Sequence, residues 1–129
     1  MPLVLDVGNC DPDHAAIRAM LSRHFQADVR RVMFVEEALA ALAREPFELV
    51  LVNRRIFADD SDGLELIRRM KADPALSAIP VMLVSNYPDA QSAAVAAGAV
   101  PGFGKAALHA PQTLARLAER LPRQSAGAA

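Results

Sequence analysis

Two stretches carry side chains that could do chemistry if folding brings them together. The first is Phe47 to Gly63, FELVLVNRRIFADDSDG, in which a short apolar run stops at Asn53 and opens into a loop bearing Asp59, Asp60 and Asp62. The second is the pair of segments IPVMLVS, ending at Ser85, and AAGAVPGFGK, ending at Lys105. In an open parallel α/β sheet, ligands and reacting groups sit just beyond the carboxyl ends of the strands, so Asn53, Ser85 and Lys105 hold the most informative positions. A carboxylate at position 53 could accept a transferred group or hold a metal. An amide does neither well at neutral pH, which points to hydrogen bonding there rather than covalent chemistry.

The remaining reactive types are less suggestive. Asp59, Asp60 and Asp62 could hold a cation, but a solvated acidic loop is the more ordinary reading. Cys10 is the only cysteine, with no adjacent base in sequence to activate it. His14, His24 and His109 lack metal-ligand spacing and are read as surface or helix-face residues. Gly102-Phe103-Gly104-Lys105 is not a phosphate loop, because the glycine required five positions before Gly104 is Ala99. Asp6 lies inside an apolar run and needs a hydrogen-bonding or charged partner if that run is buried.

The elements that must position these groups follow from periodicity. Leu3 to Val7 reads as a strand covered on both faces. Asp11-Pro12-Asp13 starts a helix, with Asp11 as N-cap, whose inner face is Ile17, Met20, Leu21 and Phe25. Val29 to Phe34 is a second strand, interrupted by Arg30 and Arg31 as suits a sheet edge. A helix beginning at Val35 ends at Arg44 before Pro46, and Leu49 to Val52 is the third strand. Asp62-Gly63 introduces a helix with Leu64, Ile67 and Met70 inward, and Asp73-Pro74 stops it. Ile79 to Ser85 is a fourth strand, Asp89 to Ala97 a small helix closed by Gly98, and Ala99 to Gly104 a brief fifth strand. A last helix runs from Pro111 to Pro122. Five βα units predict an α/β doubly wound sandwich with a parallel five-stranded sheet, as one domain over residues 1–122, followed by a disordered tail over 123–129.

Composition narrows the function classes. A hydrophobic fraction of 53% with 22% charged residues is that of a folded globular chain. A net charge of −1 and few aromatic residues give no field or stacking surface for nucleic acid. No apolar run reaches the roughly 18 residues of a membrane span, and the N-terminus lacks a basic region followed by an apolar core, so the expected setting is cytoplasmic and soluble.

The segments taken together resemble the receiver domain of two-component response regulators, a flavodoxin-like fold with sheet order 2-1-3-4-5. The resemblance covers Leu3 to Leu121. It rests on FELVLVN, on Asp62-Gly63 opening the third helix, on IPVMLVS and on AAGAVPGFGK. It implies phosphorelay signalling in which a histidine kinase phosphorylates an aspartate at position 53, Mg²⁺ is held by that residue and an acidic pair after the first strand, and a hydroxyl and a lysine steady the phosphoryl oxygens. Ser85 and Lys105 match the last two. Asn53 replaces the acceptor, and the acidic pair falls on Gly8-Asn9 or Asn9-Cys10, so neither register supplies a carboxylate. The loop is about two residues longer than the family's, and the position of the family's coupling aromatic is Gly102, with Phe103 displaced by one. The resemblance therefore implies a non-enzymatic receiver with weak or lost Mg²⁺ binding and no cofactor, acting through a protein partner, a histidine kinase or output protein, or as a homodimer. The expected interaction face is the fourth helix, fifth strand and fifth helix, with Ala93, Ala97, Phe103 and Leu114. Phosphoryl acceptance on Asp59 or Asp60, and small-ligand binding by a flavodoxin-like domain, are the alternatives.

Overall fold

The computed structural model describes residues 1–124. They form β1 (Leu3–Val7), α1 (Asp11–His24), β2 (Asp28–Val32), α2 (Val35–Arg44), β3 (Phe47–Asn53), α3 (Leu64–Ala72), β4 (Val81–Val84), α4 (Pro88–Ala96) and α5 (Pro111–Ala118), with a 3₁₀ turn at Lys105–Ala107. All strand pairs are parallel, in the order β2-β1-β3-β4.

Because side chains alternate along a strand, each strand feeds two cores. Leu5, Val7, Val50, Val52, Val81 and Leu83 pack with α2, α3 and Ala94 of α4. Val4, Leu49, Leu51, Met82 and Val84 pack instead with Ile17, Met20 and Leu21 of α1 and Leu117 of α5. This two-sided burial makes the strands read as continuous apolar runs, and it gives the three layers. At the start of α1 the expected N-cap moves back by one: Cys10 is the cap, Asp11 the first helical residue, and no side chain caps the turn.

The expected fifth strand is not formed as a regular strand, so the sheet has four strands where five were predicted. Residues 99–104 nonetheless lie along the free edge of β4. The N–H of Val100 donates to Val81 O at 3.0 Å and that of Phe103 to Leu83 O at 3.4 Å, while the Ser85 N–H donates to Phe103 O at 3.0 Å. Three residues of the segment thus span what two residues of β4 span, which is a bulge. Its cause is local. Pro101 has no N–H to give, and the Gly102 backbone lies so close to β4 that a Cβ there would come within 2.2 Å of Leu83 O.

A side chain fills the gap in the ladder. Gln91 of α4 donates through Nε2 to the carbonyls of Leu83 (2.9 Å), Ser85 (3.1 Å) and Phe103 (3.3 Å), and its Oε1 accepts the Gly102 N–H at 3.3 Å. The bulge also sends Phe103 into the core beside α1 and α5, where it is 3% exposed. Arg123 and Gln124, read from sequence as tail, are tied to the end of α1: Phe25 bridges Arg123, and the Gln124 N–H donates to His24 O at 2.9 Å. The rest of the expected tail, 125–129, lies outside the described residues.

Replacing Gln91 with Leu removes these partners of the Gly102 N–H and the Ser85 carbonyl. The expected loss is about 1–3 kcal/mol, read as a lowered urea midpoint with an unchanged slope.

Candidate functional site

The site is built at the carboxyl ends of β1, β3 and β4. β3 delivers Asn53, whose Nδ2 donates to Arg55 O at 2.6 Å and to Gly8 O at 3.3 Å. The amide thus ties its own loop to the end of β1. Gly8 O also accepts the Phe57 N–H at 2.8 Å, so the loop is held to β1 twice. Residues 54–63 fold back as a small antiparallel link, with Arg55 bridging Asp62 and the Ile56 N–H donating to Ser61 O at 2.9 Å. Within this turn Asp60 adopts a left-handed φ of 58°. Glycine is favoured at position 8, since its φ is 76° and a Cβ would approach Ile56 Cδ1 to 2.5 Å and Ile56 Cα to 3.1 Å. Any side chain there would be strained.

Asn9, common to both registers of the expected acidic pair, is drawn into a buried network. Asp6 is fully buried on the α1 side of the sheet. Its carboxylate accepts Asn9 Nδ2 at 2.5 Å and lies 2.6 Å from His14 Nδ1. Arg31 donates to Asn9 O at 2.8 Å and pairs with Asp11 at 2.7 Å. Asp6 therefore has the partners that its burial demands, and His14 is committed to it. His24 and His109, 85 residues apart in sequence, meet with Nε2 and Nδ1 at 2.9 Å on the surface.

β4 and the segment after it deliver Ser85 and Lys105. Ser85 is buried, and its Oγ accepts the Tyr87 N–H at 3.1 Å. Lys105 pairs with Asp13 of α1 at 2.6 Å. The lysine's hydrogen bond holds the Asp13 carboxyl below its ordinary range, helped by a bond from Cys10 and opposed by partial burial. Cys10 is half-buried at the cap of α1. Asn53, Ser85 and Lys105 all line one cleft of about 270 Å³, together with Arg54, Arg55 and Tyr87. Gly8, Asn9 and Cys10 do not line it.

The three loop carboxylates do not converge. Asp59 Oδ1 accepts from Ser61 N (3.0 Å) and Oγ (2.6 Å), Asp62 Oδ1 accepts the Leu64 N–H at 2.9 Å, and Asp60 faces Arg55. The Ser61 bonds lower the Asp59 carboxyl's affinity for a proton. Among the described residues no group of three or more His, Cys, Asp or Glu side chains is placed to hold a metal ion.

Known structures share this architecture. A candidate response regulator from Chloroflexus aurantiacus aligns over 92% of this chain and 96% of its own, at a TM-score of 0.77 and 22% identity. The chemotaxis response regulator CheY4 of Vibrio cholerae aligns over 93% and 98%, at 0.70 and 18%. The receiver domain of NtrX from Brucella abortus aligns over 91% and 95%, at 0.70 and 23%. The chain has the response-regulator receiver fold. No protein-family model and no curated protein sequence matches it. Identities this low establish the receiver fold alone, and the site has to be read from its own geometry.

On the face expected to meet partners, Ala93 is exposed, while Ala97 and Leu114 are partly buried against the two cores. Phe103, also placed on that face from sequence, is 3% exposed and packs beside α1 and α5 through the bulge. Sequence reasoning missed Arg54, Arg55, Tyr87 and Gln91. The first two follow Asn53 directly and Tyr87 lies two residues beyond Ser85, so the strand-end rule would have found them. No helix of the described residues is long and apolar enough to cross a membrane.

Two outcomes test this geometry. Asn53→Asp replaces a two-bond donor with a charged acceptor facing two carbonyls, and the expected cost is about 1–3 kcal/mol by urea denaturation at neutral pH. Lys105→Met releases Asp13. A carboxyl held below its ordinary value of 3.8 stabilises the fold above that value and loses the contribution as pH falls through the lowered one. The variant should be about 0.5–1 kcal/mol less stable near neutrality, and the difference should vanish at low pH.

Proposed function

We propose that this receiver-fold domain serves two-component signal transduction as a protein-interaction module that works without phosphorylation at position 53. The observation carrying this reading is the Asn53 amide, whose Nδ2 donates to Gly8 O and Arg55 O. It occupies the acceptor position as a structural clamp. Phosphoryl transfer to a carboxylate needs an anionic nucleophile there, with cations on the phosphoryl oxygens. Lys105, which would supply one of those cations, is engaged by Asp13.

Weak or lost Mg²⁺ binding belongs to the same reading. Mg²⁺ asks for hard oxygen ligands, usually one or two carboxylates. Here Gly8 has no side chain, Asn9 is turned onto Asp6, Asp6 is held by Asn9 and His14, and Asp13 is held by Lys105. The partner would be a histidine kinase, an output protein or a second copy, and not nucleic acid. Its docking face is the exposed side of α4, including Ala93, with the segment after β4 and α5. The domain is not an enzyme in this reading.

Incubation with acetyl phosphate and Mg²⁺ followed by intact-mass measurement should show no stable phosphoryl adduct. An adduct would overturn the reading, and borohydride trapping would then show whether Asp59 or Asp60 had taken the phosphoryl group.

A further inference from the structure

The cleft at the strand ends has an unusual charge balance. Arg54, Arg55 and Lys105 all line it, and no carboxylate does. Lys105 and Arg55 have acidic neighbours outside the lining, Asp13 at 2.6 Å and Asp60 at 3.8 Å. Arg54 has no carboxylate within ion-pair distance among the described residues; its guanidinium lies 4.9 Å from the centre of the exposed Tyr87 ring. Stacking on an aromatic face leaves the edge of a guanidinium, with its N–H donors, available to an oxyanion. Other donors face the same space. Ser85 Oγ accepts the Tyr87 N–H and so keeps its own hydrogen to donate, and the Asn86 side-chain Oδ1 accepts the Ala106 N–H, which leaves its NH₂.

A second cleft of about 240 Å³ adjoins the first and shares both arginines. Its other walls are mainly apolar: Leu64, Leu83, Ala90 and Ala93. Asp62 also reaches it, with Oδ1 already accepting the Leu64 N–H. A polar, cationic cleft and an apolar one thus meet across Arg54 and Arg55. That pairing fits a ligand with an anionic head and an organic body.

We infer that these joined clefts reversibly bind a small phosphorylated organic molecule, its phosphate against Arg54, Arg55 and Ser85 and its body against Leu64, Ala90 and Ala93. No covalent step is involved. With an amide at position 53, the cations lack the acceptor carboxylate that would otherwise neutralise them and repel a free phosphate. Ala90 and Ala93 belong to α4, so occupancy would be felt by the same helix that carries the proposed docking face. The binding site itself does not depend on that docking role.

Titration of the ¹⁵N-labelled full chain with inorganic phosphate and with phenyl phosphate, followed by amide shifts, tests this. Saturable, reversible shifts are expected at Arg55, Ser85 and Asn86, with phenyl phosphate binding about tenfold tighter than phosphate. Arg54→Gln should weaken both probes about tenfold, Ala93→Leu should weaken phenyl phosphate alone, and Arg18→Gln on the exposed face of α1 should change neither. Shifts that never saturate, or affinities unmoved by Arg54→Gln, overturn the site. Equal affinity for the two probes, with no effect of Ala93→Leu, overturns the organic ligand class. The binding is separable from phosphorylation because it leaves no mass change after the ligand is removed.

Discussion

At the mouth of the sheet, one side-chain amide sits between two carbonyl oxygens and donates to both. That bond pair, from Asn53 Nδ2 to Gly8 O and Arg55 O, joins the end of β1 to the loop after β3. The rest of the site depends on it. It draws residues 54–63 over Gly8, buries Ile56 beneath the turn, and leaves Arg54 and Arg55 lining both clefts. A carboxylate in the same place would turn two attractions into two repulsions. The amide is therefore a positive structural choice, and more than the absence of an acid.

The acids that remain near the strand ends are each neutralised locally. Asp6 is buried and would be costly alone; Asn9 and His14 satisfy it. Asp13 takes Lys105, and Asp11 takes Arg31. The consequence is a site whose nearby carboxylates are paired outside the cleft lining and whose cations line the cleft. Three cationic side chains, Arg54, Arg55 and Lys105, line the cleft at this end of the sheet.

The opposite edge shows how a side chain can stand in for a strand. Pro101 withholds an N–H and Gly102 lets the chain press onto β4, so the ladder is interrupted by a bulge. Gln91 reaches from α4 to three carbonyls and one N–H across the gap. This couples α4 to the edge of the sheet more directly than packing would. It also decides the fate of Phe103, which the extra residue turns into the core.

Much of the fold was legible in the chain itself. Apolar runs covered on both faces, helix starts at Pro12 and Pro111, and stops at Pro46 and Asp73-Pro74 are local properties, carried by side-chain period and by the restricted backbone of proline. The same holds for the identity of position 53, since strand ends can be read from where an apolar run stops. What the sequence could not decide was which groups would face each other. The clamp of Asn53 on Gly8 spans 45 positions, Lys105 finds Asp13 across most of the chain, and Gln91 replaces ladder bonds that only a misregistered neighbour leaves open. Those partnerships depend on distances set by the packing of α1 and α4 onto the sheet. Periodicity determined the layers of this protein, and tertiary contact alone decided that its strand-end site would close on its acids and open on its cations.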